Sequence, residues 1–223
     1  MASNDEFFRE VDEEYRRDQI AQIWKRYNGV IIALAILLVA AVGGWRYWQY
    51  AQENRAQAAA SRFEDALRLA RDDKGSDAGK ALEALAKDAP GGYALLSRFR
   101  LAAEMGKANA EEGAKAFDAL AADPKVDTLW QGLARLRAAM ARIDTADAAS
   151  LRQALEPLAT PTGAWRHTAR ELLGLTGLKA GDMEAAGKWF DQIAADRDTP
   201  AGLRQRLEIY TALVAGGPVQ VSQ

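Results

Sequence analysis

Side chains that carry catalysis or bind metal ions are sparse in this chain. Its 223 residues include no cysteine and one histidine, His167, which excludes disulfides and thiolate sites and leaves no second histidine for a metal site. We expect His167 to be a surface or groove residue. The carboxylate pairs Glu111-Glu112 and Asp72-Asp73 fall at predicted helix ends or turns, where carboxylates face solvent or the positive end of a helix.

Sequence motifs of common catalytic and cofactor sites do not occur either. The chain has no nucleophile-elbow serine motif, no phosphate-binding glycine loop and no zinc-protease helix motif. Acidic and basic residues are interspersed and the formal net charge is −2, so no basic field is present to neutralise phosphates. We therefore predict a protein that is not an enzyme, takes no cofactor, metal or small-molecule substrate, and does not bind nucleic acid.

The element that positions the rest of the chain is an uncharged apolar run over residues 27–45, which begins at Tyr27. About 18 or more consecutive apolar residues suffice for a helix to cross a bilayer. The run is apolar on all sides, with Leu37 near its centre. A lipid-facing helix has this pattern, whereas a buried helix of a soluble domain, the alternative, normally keeps a polar side. We predict a transmembrane anchor over residues 27–48.

Aromatic and basic residues flank this anchor. Trp24 precedes it, and Trp45, Arg46 and Trp48 lie at its other end, as expected for side chains at membrane–water interfaces. Basic residues are slightly more frequent before the run than after it, which favours a cytoplasmic N-terminus. The preceding segment, residues 1–26, is long and acidic, unlike the short basic start of a cleaved signal peptide. We expect an uncleaved signal anchor behind a cytoplasmic tail.

The remaining sequence predicts helices alone. Alanine and leucine abound, while long β-branched runs occur only in the anchor. Ser3 and Glu6 form a capping-box pattern for a short helix ahead of the anchor, and the anchor helix is expected to continue toward Gly75, the first breaker after it. Apolar residues at helical spacing predict further helices over residues 80–87, 93–105, 110–121, 129–143, 148–158, 165–178, 183–194 and 203–214.

These helices pair into units of similar length. Leu101, Leu136 and Leu173 are matching points, separated by 35 and 37 residues, and helix pairs near a period of about 34 residues are typical of tetratricopeptide-type repeats. We predict an all-α fold, in which the transmembrane helix is followed by a degenerate tetratricopeptide-like α-solenoid. The solenoid has about four helical hairpins and a C-terminal helix over residues 49–215, and a flexible tail follows over residues 216–223. A generic helical bundle is the alternative.

The last hairpin matches the repeat pattern best. Leu173 and Gly174 are followed by Ala186 and Phe190, a spacing that places small residues where two helices cross closely and an aromatic residue at the seam to the next helix. Earlier units match less well, since Arg137 stands where a small residue is expected. The repeats are therefore degenerate.

Stacked hairpins of this type form a concave face, lined by the first helix of each pair, that can hold a peptide or a partner domain. If Leu173 is buried, helical geometry turns Glu171 and Lys179 toward that groove. Lys107 and Arg142 occupy comparable places on earlier units. These four charged residues are predicted to line a partner groove.

Two tryptophans near the starts of such helices, Trp130 and Trp165, are candidate anchors for a partner. Tryptophan is enriched at the residues that dominate binding energy in protein interfaces. Packing between neighbouring hairpins is the alternative for both side chains.

The order of these features resembles the ancillary subunit of the bacterial Sec translocon. The resemblance is carried by the acidic tail, the uncharged anchor, the motif Gly44-Trp45-Arg46-Tyr47-Trp48 at the anchor's end, the motif Tyr93-Ala94-Leu95-Leu96 after a Pro-Gly-Gly break, and the degenerate repeats. It covers nearly the whole chain. The longer tail before the anchor and the weak charge bias around it depart from that family.

This resemblance implies a single-pass inner-membrane protein with a periplasmic repeat domain. Its implied role is a non-enzymatic interaction module that is associated with the Sec translocon and links exported proteins to periplasmic chaperones, with the lipid bilayer contacted through one helix. Two alternatives stay open. The groove could serve as a scaffold for another envelope complex, such as a cell-division or respiratory assembly, or residues 1–26 could hold a cytosolic regulator at the membrane.

Overall fold

Helices make up the regular structure of this chain. The computed structural model describes the backbone of residues 3–217 and the side chains of residues 24–217. Between residues 3 and 217 it has nine α-helices, one 3-10 turn and no strand, which confirms the all-α prediction. The predicted capping box of Ser3 and Glu6 and the predicted tail beyond Gly217 lie outside the residues whose side chains are described.

The first helix, α1 (Ser3–Arg71), contains the predicted tail helix, the anchor and its continuation as one element. From Trp24 onward it includes an 18-residue window with a mean hydropathy of 2.2, none of which is buried. Leu37 is 66% exposed. A core helix of a soluble domain would be covered by its neighbours, and this window is not. The helix is long and apolar enough to cross a membrane.

The chain divides into two compact units, and the first ends at Gln57. The second begins at Ala58 and contains the end of α1 and all later elements. These are α2 (Gly75–Asp88), α3 (Gly92–Ala108), α4 (Ala110–Ala122), α5 (Thr128–Ala141), α6 (Ala148–Leu155), a 3-10 turn (Glu156–Leu158), α7 (Arg166–Lys179), α8 (Met183–Ala195) and α9 (Ala201–Gly216).

Side chains next to the helix termini explain where several of the helices begin and end. The side chain of Asn109 accepts hydrogen bonds from the backbone N–H groups of Glu111 and Glu112 at the start of α4, which satisfies donors that have no partner within the helix. Aspartates cap α5, α6 and α8 in the same way. Helix α6 ends earlier than the sequence predicted, because Pro157 has no N–H to continue the helical hydrogen bonds.

The core of the second unit is a series of four apolar clusters that follow the chain. Each cluster is built by helices that are close in sequence, and most contacts between helices join successive ones, as in an α-solenoid. Fully or nearly fully buried members are Leu82 and Leu85 in the first cluster, Phe117 and Leu120 in the second, Leu136, Leu155 and Leu173 in the third, and Phe190, Ile193 and Leu207 in the fourth.

Small residues set the closest helix crossings. A Cβ atom added at Gly177 would lie 2.9 Å from the backbone N of Ala186, and one added at Gly113 would lie 2.5 Å from the Cα of Gly106. Gly174 instead faces the ring of Phe190, which a Cβ at that position would enter. The hairpin of α7 and α8 thus uses Gly177, which the sequence did not single out, as the partner of Ala186.

Candidate functional site

The predicted groove residue Glu171 is covered by the last helix. It is 8% exposed, and its carboxylate accepts hydrogen bonds from Nε and Nη2 of Arg206 at 2.8 and 3.0 Å and from the hydroxyl of Tyr210 at 3.0 Å. The hydrogen bond with Glu171 raises the pKa of Arg206 above its usual value. The prediction that Glu171 lines an open groove is wrong, because α9 packs on this side of α7.

Arg142 is likewise committed to a contact within the chain. Its Nε and Nη2 donate to the carboxylate of Glu111 at 2.8 and 2.9 Å, and its Nη1 donates to Asp118 at 2.7 Å. The hydrogen bond with Arg142 lowers the pKa of the Glu111 carboxyl. Arg142 therefore ties the end of α5 to α4, and its place in a partner groove stays a prediction.

Two further predicted groove residues tie successive hairpins together. The indole N–H of Trp165 donates to the carbonyl of Leu129 at 2.9 Å, and its ring lies against Gly132. The ammonium of Lys179 donates to the carbonyl of Ile143 at 2.9 Å. For Trp165, packing between hairpins is what the structure shows.

Of the remaining two, Trp130 lines an open pocket between α3, α4 and α5, and Lys107 lies on α3 outside its lining. The pocket has a volume of about 310 Å³. We call it the aromatic pocket, and it is lined by Leu96, Phe99, Arg100, Ala103, Phe117, Trp130, Leu133 and Arg137. Lys107 is one turn beyond Ala103 on α3.

Aromatic rings form the apolar part of this pocket. The ring centroid of Phe99 is 6.0 Å from that of Phe117 and 5.8 Å from that of Trp130, with tilted planes. Aromatic pairs favour such tilted arrangements at these distances. Phe117 is 6% exposed, whereas Leu96 is 40% exposed. The ring of Phe117 is thus fixed in the core, and the pocket is open to solvent on the side of Leu96.

Positive charge surrounds the aromatic pocket. Arg100 contacts Glu104 through Nη2 at 2.6 Å, and Lys107 contacts the same carboxylate at 2.8 Å. Arg137 is exposed and forms no ion pair with any side chain of residues 24–217. One carboxylate is therefore shared by two cations, and a third cation is left free.

Sequence reasoning found one of the pocket's aromatic residues, Trp130, and missed Phe99 and Phe117. The signal that could have located the pocket was Arg137, which stands at a repeat position where a small residue is expected. A long charged side chain at that position predicts surface instead of a helix crossing.

His167 lies in a polar cluster where α7 begins. Its side chain is 15% exposed, and its Nε2 lies 3.0 Å from Oδ2 of Asp196, which also receives Nε of Arg166 at 2.7 Å and Nη1 of Arg170 at 3.2 Å. The hydrogen bond from Arg166 is the main reason that the pKa of Asp196 is well below its usual value. The expectation of a surface or groove histidine is corrected, since the side chain of His167 is largely buried beside Asp196 at the end of α8.

Residues predicted to meet a membrane are exposed along α1 in the first unit. The ring centroids of Trp45 and Trp48 are 5.5 Å apart. The exposed fractions of Trp24, Tyr27, Trp45 and Trp48 are between 48 and 60%, and Arg46 is exposed as well. These side chains are therefore not packed in a core formed by residues 24–217.

Among residues 24–217, no group of three histidine, aspartate or glutamate side chains is arranged to hold a metal ion. No match was found among curated proteins or among solved structures. A family model described as a tetratricopeptide repeat-like domain matches residues 22–210, which is most of the chain and includes the whole apolar run over residues 27–45. The chain therefore belongs to the tetratricopeptide repeat-like domain family.

Proposed function

We propose that this protein is a non-enzymatic, membrane-tethered interaction module associated with the Sec translocon, where it links exported proteins to periplasmic chaperones. The observation that carries the proposal is the presence, in one chain, of an uncovered apolar helix and a helical repeat domain. Repeat domains of this type offer extended surfaces for protein partners. The resemblance of the anchor's aromatic motif to the ancillary translocon subunit supports the choice of partner.

The proposed topology places the N-terminal tail, residues 1–26, in the cytoplasm, the anchor over residues 27–48 in the inner membrane, and residues 49–215 in the periplasm. The distribution of basic residues around the anchor supports this orientation, and the exposed aromatic residues at its two ends support the bounds of the span. The acidic start argues against cleavage.

Tethering explains how such a module works without a large interface. Two proteins confined to one membrane region meet at a high effective concentration, so weak contacts suffice for association. The aromatic pocket is one such contact surface. Its volume of about 310 Å³ suits a small part of an exported chain.

Photo-cross-linking in living cells tests this function. A photoreactive residue is placed in the full chain at Leu96, which is 40% exposed beside the pocket, and separately at Ile209, which is 62% exposed on α9. Cross-linked products are then identified by mass spectrometry. We expect translocon subunits, periplasmic chaperones or exported chains from at least one position. Recovery of a different envelope complex, with translocon subunits and chaperones absent, would refute the proposal.

A further inference from the structure

We propose that the aromatic pocket binds an extended segment of a partner protein through one bulky apolar side chain followed closely by a carboxylate. This inference rests on the proposed function, because it assumes that the repeat domain captures proteins. It adds the chemistry of the segment that is captured and the residues that recognise it.

Three aromatic rings supply the apolar part of the proposed binding site. Phe99, Phe117 and Trp130 meet in a pocket of about 310 Å³, at the lower end of the range of roughly 300 to 1,000 Å³ in which small-molecule pockets fall. A volume of this size suits one large side chain. Leu96 and Trp130 present apolar surface to solvent, and an inserted side chain gains about 25 cal/mol for each Å² of apolar surface that it removes from water.

The charged half comes from the arginines. Arg100 and Arg137 line the pocket, and its lining includes no carboxylate. Glu104 is shared between Arg100 and Lys107, so it neutralises only one of them, and Arg137 pairs with no side chain of residues 24–217. The planar guanidinium group matches a carboxylate with two parallel hydrogen bonds. An acidic residue next to the inserted side chain therefore meets unsatisfied positive charge.

The position of Arg137 in the repeat supports a role in binding. It corresponds to Gly174, 37 residues later, which must be small because the ring of Phe190 lies against it. Helix α6 carries no aromatic residue, so no ring demands a glycine at 137. Packing permits a large side chain there but does not require an arginine. A departure from the local rule without a packing reason is expected at functional positions.

Peptide binding to the full chain in lipid nanodiscs tests this inference. Three fluorescein-labelled Gly/Ser peptides differ only at their centre, which reads Phe-Asp-Asp, Phe-Lys-Lys or Ala-Asp-Asp, and affinity is measured by fluorescence anisotropy. We expect the Phe-Asp-Asp peptide to bind at least about tenfold more tightly than the other two, since it alone satisfies both the rings and the arginines.

Two charge reversals on α5 form a matched pair. Arg137→Glu removes the free cation of the pocket and is expected to weaken Phe-Asp-Asp binding about tenfold or more. Arg135→Glu makes the same charge change at an exposed residue outside the pocket, and it should leave the affinity nearly unchanged. A second pocket variant, Ala103→Glu, places a carboxylate among the arginines and should also abolish the preference for acidic peptides.

Several results would overturn the inference. The first is equal binding of all three peptides, and the second is an equal effect of Arg137→Glu and Arg135→Glu on the affinity. The third is binding of octanoate in the pocket with no binding of any peptide, which would indicate a lipid-like ligand. Failure here is distinct from failure of the proposed function. Translocon cross-links from Leu96 that persist in Arg137→Glu would reject the pocket and retain the function. Peptide binding without translocon cross-links from either position would reject the function and retain the pocket.

Discussion

The contact between Gly174 and Phe190 gives the sharpest test of the helix packing. Phe190 is fully buried and its ring stacks on Tyr210, with centroids 5.1 Å apart, so it cannot move aside to make room for a Cβ atom at residue 174. Replacing a glycine by alanine inside a helix gains about 0.8 to 1 kcal/mol from backbone propensity. Overpacking a core costs about 1 to 3 kcal/mol. We therefore expect Gly174→Ala to be destabilising or, at best, neutral.

Gly187→Ala is the matched control, since Gly187 lies in the middle of α8 of the same hairpin. A Cβ at that position would make an ordinary contact of 3.5 Å with Val214, so the propensity gain is retained. The free energy of unfolding of the two variants should differ by about 1 to 3 kcal/mol, which is the overpacking cost alone. Urea unfolding of the full chain in detergent, followed by circular dichroism, measures this difference. Equal stability of the two variants would refute the close contact.

Other perturbations test the anchor, the polar cluster and the tie between hairpins. Leu37→Arg should impair membrane insertion, because a charge at the centre of a spanning helix costs about 2.5 to 3.5 kcal/mol; unchanged membrane fractionation would count against the anchor. Trp165→Phe removes the hydrogen bond to Leu129 and should cost about 0.5 to 1.5 kcal/mol of unfolding free energy, and a stability equal to that of the parent chain would show that this bond contributes nothing. Asp196 has a pKa below its usual value in the folded chain, so its stabilising effect is present at neutral pH and is lost as the pH falls below the unfolded value of about 3.9. Thermal melts from pH 7 to pH 2 should therefore show a shallower acid loss in Asp196→Asn than in the parent chain, and identical slopes would contradict the assignment.

Much of the fold was predictable because its determinants are local. Apolar spacing fixed the helices, and breakers such as Pro90 and Pro124 separated them. The helix that is long and apolar enough to cross a membrane was predictable from the absence of charge between residues 27 and 45. Repeat architectures favour this kind of prediction, since each helix packs mainly on its neighbours in sequence.

The groove was predicted poorly because it depends on contacts between distant residues. Helical geometry placed Glu171 on one side of α7 but could not show that α9, 35 residues later, supplies Arg206 to that side. The same is true of Arg142, whose partner Glu111 is 31 residues earlier. Both residues form ion pairs with an oppositely charged residue of another helix.

Unequal second helices explain why one repeat is closed by the chain's own side chains while another stays open. In the hairpin of α7 and α8, Phe190 fills the space above Gly174, so that side of α7 is closed by the chain's own side chains. In the hairpin of α5 and α6, the second helix has eight residues and no aromatic side chain, and the corresponding residue, Arg137, remains exposed. The aromatic pocket between α3, α4 and α5 opens to solvent beside it. Degeneracy of the repeats thus leaves open, beside Arg137, the pocket that we propose as a recognition surface, whereas the corresponding side of α7 is filled by Phe190.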